Sequence, residues 1–191
     1  MRALVFLLAF LPASWVLADW QLDPKLSRIS FVSVKRGDMA DVQRFTELSG
    51  TVDGQGLVRV VIPFSGLDTG LALRDERTRE ALFETERFPQ AEVSSQVDLA
   101  IWEQLAVGAS QIENLEFQLD LHGQQRRLKA EVLVSRLGEE RLQVTLLEPL
   151  VIKADDFALI DGLEKLKAIA SVPSITPEVP VFAVLNFQRQ P

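Results

Sequence analysis

The feature that most constrains the fold is a strict two-residue alternation over residues 115–122. Four apolar residues there alternate with four polar ones, namely Leu115, Phe117, Leu119 and Leu121 against Glu116, Gln118, Asp120 and His122. Successive side chains of a β-strand point to opposite faces, whereas a helix would repeat at three- and four-residue spacing. The segment is therefore predicted to be a strand with one buried and one solvated face.

Other segments carry the same signal. A second alternation predicts one long antiparallel strand over residues 91–101, with Trp102 on its polar face. Further strand-like runs are residues 28–35, 48–52, 57–64, 127–135, 141–148 and 181–188. Several are separated by glycine-containing turns at residues 53–56, 122–124 and 137–140, where glycine can adopt a positive φ between paired strands. The pattern predicts a meander of β-hairpins.

Two segments are typical of helices instead. Residues 73–83 are rich in good helix formers, and residues 162–171 put Leu163, Leu166 and Ala170 on one side of a second short helix. About eight antiparallel strands with one or two short helices predict an all-β fold. A closed up-and-down barrel is favoured over a sandwich, because closure removes exposed strand edges. A barrel of eight strands can hold one small ligand.

The first residues predict export. Arg2, an apolar run and a small-residue pattern ending at Ala18 are typical of a secretory signal peptide cleaved after Ala18. An uncleaved anchor is disfavoured, because the run is shorter than the ~20 residues that a spanning helix needs. Residues 1–18 are thus assigned to the signal peptide and residues 19–191 to one domain. The expected location is the periplasm, or the medium after secretion.

The composition limits the classes of partner that the protein is expected to bind. The chain has a net charge of −7 and contains neither Cys nor Tyr. Nucleic acid and anionic membrane surfaces bind proteins through clusters of Lys and Arg. The net negative charge therefore argues against both as partners. The missing Tyr, with few other aromatic residues for interfacial girdles, argues against an outer-membrane barrel, and no membrane-spanning segment is expected in the mature domain.

Catalytic and metal motifs are weak. There is no nucleophile elbow and only one histidine, His122, which is interpreted as a solvated turn residue. Asp155 and Asp156 are adjacent, so on a strand they would face opposite sides, and a turn or cap role is favoured. We predict no catalytic residue, metal site or cofactor. The alternative is an enzyme in which Asp75 or Asp155 acts as acid or base.

The densest charge cluster surrounds Arg74, Asp75 and Arg79. One interpretation is a solvated helix whose charges pair at three- and four-residue spacing. The other is a pocket mouth, where guanidinium groups suit the phosphate or carboxylate oxygens of a lipid head group.

Around this cluster the sequence resembles the YceI-like lipid-binding proteins. The matching segments are Leu67-Asp68-Thr69-Gly70, Arg74-Asp75, Leu82-Phe83 and Phe88-Pro89. Other matches flank it in the same order as in the family, namely Trp20-Gln21-Leu22-Asp23, Ser27, Phe31, Phe45, Leu48-Ser49-Gly50, Leu121-His122-Gly123 and Asp155-Asp156-Phe157. The sequence departs from the family at Leu26, where His is frequent, and at Ala158, where Gly commonly follows Phe.

The resemblance implies an eight-stranded, lipocalin-like antiparallel barrel around an apolar tunnel that holds a polyisoprenoid or a quinone-precursor-like lipid. The protein would be a carrier or store rather than an enzyme. Five bulky inward residues are candidates to line the tunnel, although inward aromatic residues more often fill the core of a small barrel: Phe31, Phe45, Phe64, Phe117 and Phe187. Formation of a homodimer is a possibility that the sequence leaves undecided. The alternative is an envelope stress or interaction protein with a filled barrel that acts through its acidic surface.

Overall fold

A computed structural model describes residues 20–190, so the predicted signal peptide lies outside the described residues. The strands are β1 (Trp20–Leu22), β2 (Arg28–Lys35), β3 (Met39–Phe45), β4 (Ser49–Val52), β5 (Leu57–Pro63), β6 (Leu67–Asp68), β7 (Gln90–Gln96), β8 (Ser110–Leu121), β9 (Gln124–Gly138), β10 (Arg141–Leu146), β11 (Leu150–Lys153) and β12 (Glu178–Arg189). The helices are α1 (Ala72–Ala81), α2 (Leu99–Glu103) and α3 (Ile160–Ala170), with 3₁₀ turns at Phe64–Gly66 and Ala154–Phe157. None of the helices in this described part is long and apolar enough to cross a membrane.

The twelve strand segments act as eight barrel strands. Segments β1 and β2 both pair with the long strand β12, through Leu22 with Phe187 and Phe31 with Val181. Segments β3 and β4 lie beside them, β5 and β6 beside those, and β10 and β11 lie on the other side of β12. With these four pairs joined, the strands follow one another in up-and-down order, and pairing of β12 with β1 closes the barrel. The predicted eight-stranded antiparallel fold is confirmed.

The β8–β9 hairpin shows how local sequence sets the register. Leu115 pairs with Ala130 and Phe117 with Leu128, so the apolar face predicted for residues 115–121 points into the barrel. The loop between the strands is His122 and Gly123, both at positive φ (52° and 72°). Two residues of positive φ form the type I′ turn whose twist matches paired strands.

The predicted strand over residues 91–101 is wrong in its second half. Strand β7 ends at Gln96, and the following residues form helix α2, where Leu99 and Trp102 are buried at helical spacing. Trp102 is therefore an inward residue and not part of a polar strand face. In so short a segment the two-residue period of a strand and the 3.6-residue period of a helix are hard to tell apart. Packing of Trp102 at the end of the barrel therefore decides that residues 99–103 form a helix.

The two predicted helices are present with shifted bounds. Helix α1 ends at Ala81, before Phe83, and α3 begins at Ile160, before the predicted start at residue 162. Gly162 lets the two helices touch, because a Cβ there would lie 2.7 Å from the carbonyl oxygen of Ala81. The two helices cover one end of the barrel. We call this cover the lid; it consists of α1, α3 and the residues directly before and after each helix.

Candidate functional site

The barrel encloses an apolar cavity of about 260 Å³. Thirty-three described residues line it, and among these only Ser95 and Trp102 carry a polar side-chain atom. The Ser95 hydroxyl donates a hydrogen bond to the carbonyl oxygen of Glu116 at 2.7 Å, so its polarity is satisfied within the wall. Alternate positions of one strand show how the lining arises, since β12 contributes Val179, Val181, Ala183, Leu185 and Phe187.

All five phenylalanines predicted for the tunnel lie in this lining: Phe31, Phe45, Phe64, Phe117 and Phe187. Three of them are in ring contact. The centroids of Phe31 and Phe45 are 5.5 Å apart, and those of Phe45 and Phe64 are 6.0 Å apart. The structure therefore brings the predicted residues to one cavity, while the contact each makes with a ligand stays a prediction.

Two further aromatic residues of the lining were missed from the sequence. Phe83 follows α1 and stacks on Phe64 with the ring centroids 4.1 Å apart. Trp102 comes from α2 at the opposite end of the barrel. The apolar pair Leu82-Phe83, which directly follows a helix rich in charged residues, was a sequence signal for Phe83. Trp102 was missed because residues 91–101 were assigned to a strand.

At the α2 end of the cavity lies a group that we call the floor, made of Trp20, Trp102, Glu103 and Arg189. Trp20 is fully buried, and its indole N–H donates to Glu103 Oε1 at 3.1 Å. The Arg189 guanidinium pairs with the same carboxylate oxygen and lies 4.9 Å from the centroid of the Trp20 ring. Hydrogen bonding and cation–π contact together fix the aromatic residue beneath the cavity.

At the lid end, the predicted pocket-mouth residue Arg74 joins a second cation around one carboxylate. Lys35 Nζ lies 2.6 Å and Arg74 Nη1 lies 3.1 Å from the same Asp41 Oδ2 atom. We call Lys35, Asp41 and Arg74 the hairpin triad, because Lys35 and Asp41 belong to the β2–β3 hairpin. The hydrogen bond from Lys35, aided by the positive charge of Arg74, lowers the pKa of Asp41 below its ordinary value of 3.8.

The other two residues predicted for the mouth have different surroundings. Asp75 Oδ1 accepts a hydrogen bond from the backbone N–H of Thr69 at 2.8 Å, which ties the start of α1 to β6. Arg79 is half-buried farther along α1. Neither residue lines the cavity, and Asp155 is exposed, so no carboxylate of the described chain reaches the lining as an acid or base would.

His122 is not the solvated turn residue that was predicted. It does lie in the β8–β9 turn, but its side chain is only 11% exposed and its ring centroid lies 4.5 Å from that of Phe88. Its Nε2 is 3.8 Å from Glu84 Oε2, and neither ring nitrogen has a hydrogen-bond partner in residues 20–190. The turn prediction was correct and the exposure was wrong, because the segment after α1 folds over the turn. No group of three or more potential metal ligands occurs in that same range.

Comparison with known proteins identifies the family. A model of the YceI-like domain matches residues 20–187. The chain belongs to the YceI-like family. A solved polyisoprenoid-binding domain from Saccharophagus degradans, implicated in plant cell wall breakdown, is 37% identical with a TM-score of 0.88 over 91% of this chain and 99% of that one. A search of curated proteins found no match.

More distant solved structures share the fold alone. BcnA of Burkholderia cenocepacia is 20% identical with a TM-score of 0.67, over 86% of this chain and 98% of that chain. The YCEI protein of Campylobacter jejuni is 12% identical with a TM-score of 0.54, over 78% and 84% of the two chains. The barrel is thus kept while most side chains differ.

Proposed function

We propose that this protein binds a long apolar lipid of the polyisoprenoid class inside its barrel and carries or stores it without chemical change. The observation that supports this most is the lining itself, in which 31 of 33 residues have wholly apolar side chains. Each buried CH₂ of a lipid contributes about 0.8 kcal/mol, so a hydrocarbon chain binds such a surface without polar anchors. The polyisoprenoid-binding relative, 37% identical over nearly its whole length, supports the ligand class.

The proposal gives the cavity residues their roles. Phe31, Phe45 and Phe64 would contact the part of the chain nearest the lid, Phe117 would contact it on β8, and Phe187 would contact it on β12. A carrier role without turnover is supported by a lining that offers no acid, base or nucleophile among the described residues. The enclosed cavity also argues against the filled barrel acting through an acidic surface.

We further propose that the protein works outside the cytoplasm, on the strength of the signal-peptide pattern that ends at Ala18. Edman or mass-spectrometric analysis of the protein secreted or exported by its host is expected to find Asp19 as the first residue. Recovery of an uncleaved chain in the cytosolic fraction would contradict this.

The decisive experiment is native mass spectrometry with organic extraction of protein purified from its own host. A stoichiometric lipid of defined mass is expected. Ala183→Trp should reduce the bound fraction strongly, because Ala183 lies in the cavity wall and the added ring would occupy the ligand's space. Phe182→Trp is the matched control, since the neighbouring side chain is 42% exposed on the outer face. A ligand-free protein that also fails to bind added polyprenyl lipids would refute the proposal.

A further inference from the structure

An apolar row crosses the outside of the barrel wall. Val42 on β3 pairs with Val32 on β2, and Val151 on β11 pairs with Pro180 on β12. The ladder between β2 and β12 ends one residue before this row, and its register places Val32 next to Pro180. The row thus runs from Val42 through Val32 and Pro180 to Val151, across four adjacent strands.

The side chains of this row point away from the cavity. Alternate residues of a strand face opposite sides of the sheet. On these four strands the cavity is lined by the other set of positions, namely Phe31, Phe45, Ile152 and Val181 among others. The two ends of the row are the most exposed, since Val42 is 73% and Val151 is 51% exposed.

The row is the centre of a larger apolar patch. Val34 lies two residues beyond Val32 on the same face of β2, and Phe182, which is 42% exposed, lies two residues beyond Pro180 on β12. We call these six side chains the outer apolar face: Val32, Val34, Val42, Val151, Pro180 and Phe182. Four strands and three rows of side chains give a footprint of about 400 Å². Contiguous apolar patches of this size on a protein surface mark interaction sites.

The border of the outer apolar face is polar and carries both signs of charge. Lys153 lies opposite Glu178 beyond one side of the row, and both are exposed. Arg44 follows Val42 on the other side and pairs with Asp68 at 2.6 Å. An apolar centre within a mixed polar rim is the anatomy of a protein–protein interface. An anionic bilayer would instead favour clustered cations, whereas both cations of this rim have an acidic neighbour.

A second copy of this chain fits the size of the outer apolar face. A stable interface buries about 800 Å² on each partner, with an apolar core inside a polar rim. The outer apolar face supplies about half of this area as the core, and the residues around it can supply the rest as the rim. Two sheets pack face to face when their facing side chains are apolar. In a two-fold dimer both copies use the same surface, so a flat apolar face is its own partner.

We infer that two copies of the protein associate through the outer apolar face, sheet against sheet, in a two-fold dimer. The inference goes beyond the proposed function and does not depend on it, because this face points away from the cavity. A lipid inside either barrel would neither form nor block the contact.

The first test is sedimentation equilibrium of the full chain as its host exports it. A dimer is expected at a concentration of about 100 µM, with dissociation on dilution to about 1 µM. Val42→Glu and Val151→Glu should each weaken association at least about tenfold, because a two-fold interface buries the added charge twice. Ile112→Glu is the matched control, since Ile112 is 57% exposed on β8, a strand outside this face; it should leave association unchanged.

Two measurements keep loss of association apart from loss of folding. Each variant is expected to keep the far-UV circular dichroism spectrum of the unsubstituted protein. Dilution of the unsubstituted protein, followed by the NMR shifts of its backbone amides, needs no variant at all. The shifts that change with concentration are expected on β2, β3, β11 and β12. Changes confined to other strands would overturn the assignment of this face.

The remaining outcomes are equally decisive. A protein that stays monomeric at about 100 µM, or a dimer that both glutamate variants leave intact, would overturn the inference. A monomer that sediments with phosphatidylglycerol vesicles and loses this binding in Val42→Glu would assign the face to a membrane instead. Lipid binding is scored separately with geranylgeraniol. Its failure in the unsubstituted protein would refute the proposed function and leave the dimer standing.

Discussion

The floor and the hairpin triad both join an arginine to a carboxylate, yet the charges around the two carboxylates differ. In the floor, one carboxylate oxygen of Glu103 meets one guanidinium, that of Arg189, and the indole N–H of Trp20, so the charges balance against an aromatic ring. In the triad, two cations share one oxygen of Asp41 beside a face that turns polar. The balanced pair thus holds a buried aromatic ring in place, whereas the unbalanced one joins the β2–β3 hairpin to α1 through a single carboxylate.

The largest expected effect comes from breaking the floor. Trp20→Ala should lower the free energy of unfolding by about 3–5 kcal/mol, because Trp20 is fully buried and also holds Glu103 and Arg189 in place. Urea denaturation measures the change. Phe182→Ala, a large apolar truncation on the outer face, should cost far less. A loss below about 1 kcal/mol for Trp20→Ala would show that the floor does not depend on this packing.

Opening the lid should have a smaller effect than breaking the floor. Gly162→Val places a side chain against backbone atoms of Ala81 and Leu82, and should cost about 1–3 kcal/mol by forcing α3 away from α1. Thermal denaturation, together with the rate of lipid release, measures the result. Ala168→Val puts the same residue type at an exposed position of the same helix and should leave both quantities nearly unchanged. Equal stability of the two variants would refute the close contact.

Relieving backbone strain in the lid should stabilise it slightly. Ala158 has φ of 54°, a left-handed conformation in which a Cβ is unfavourable. Ala158→Gly is therefore expected to raise the free energy of unfolding by about 0.5–1 kcal/mol. Ala168→Gly, inside α3, should have the opposite sign by a similar amount because glycine weakens a helix interior. A destabilising Ala158→Gly would contradict the strain argument.

The smallest effect concerns the pH dependence of the triad. The pKa of Asp41 is lowered in the folded protein, so its ion pairs contribute fully above pH 3.8 and are lost only as the pH falls below that value through the lowered pKa. The Asp41 side chain is 35% exposed, and solvent screening keeps the contribution below about 1 kcal/mol. The carboxyl carbon shift of Asp41, measured by NMR, should thus titrate below pH 3.8.

Lys35→Met should move that titration back up toward the ordinary value, because the Lys35 hydrogen bond is the largest cause of the shift. Arg44→Met, which removes the partner of Asp68 on the outer face, should leave Asp41 unchanged. An Asp41 titration that ignores Lys35→Met would mean that the triad is not formed in solution.

Much of the wall could be predicted because its signal is local. Apolar and polar residues alternate over residues 115–121, and Gly123 marks the turn that follows. These local signals determine which side chains face inward, without reference to the rest of the chain. The five phenylalanines predicted to face inward lie at positions of the wall or its 3₁₀ turn that line the cavity, and their contact with a ligand stays a prediction. The barrel order follows from hairpins joining neighbouring strands.

The ends of the barrel could not be predicted in this way. Trp102 is placed by the short helix α2, and His122 is buried by a segment that precedes it by more than thirty residues. Lys35 and Arg74 meet at Asp41 although they are far apart along the chain. No local pattern encodes such contacts, because they depend on where separate elements arrive in space.

The sequence by itself determined the all-β barrel, its apolar inner face and its family, since each follows from alternation, turn residues and ordered motifs along one stretch of chain after another. Only the tertiary structure decided that the barrel encloses a cavity, which aromatic residues meet at the α2 end and which two cations meet at Asp41 near the lid. The physical reason is that alternation reports the side of a strand on which a residue lies, whereas volume and charge balance depend on all the residues that face it across the barrel.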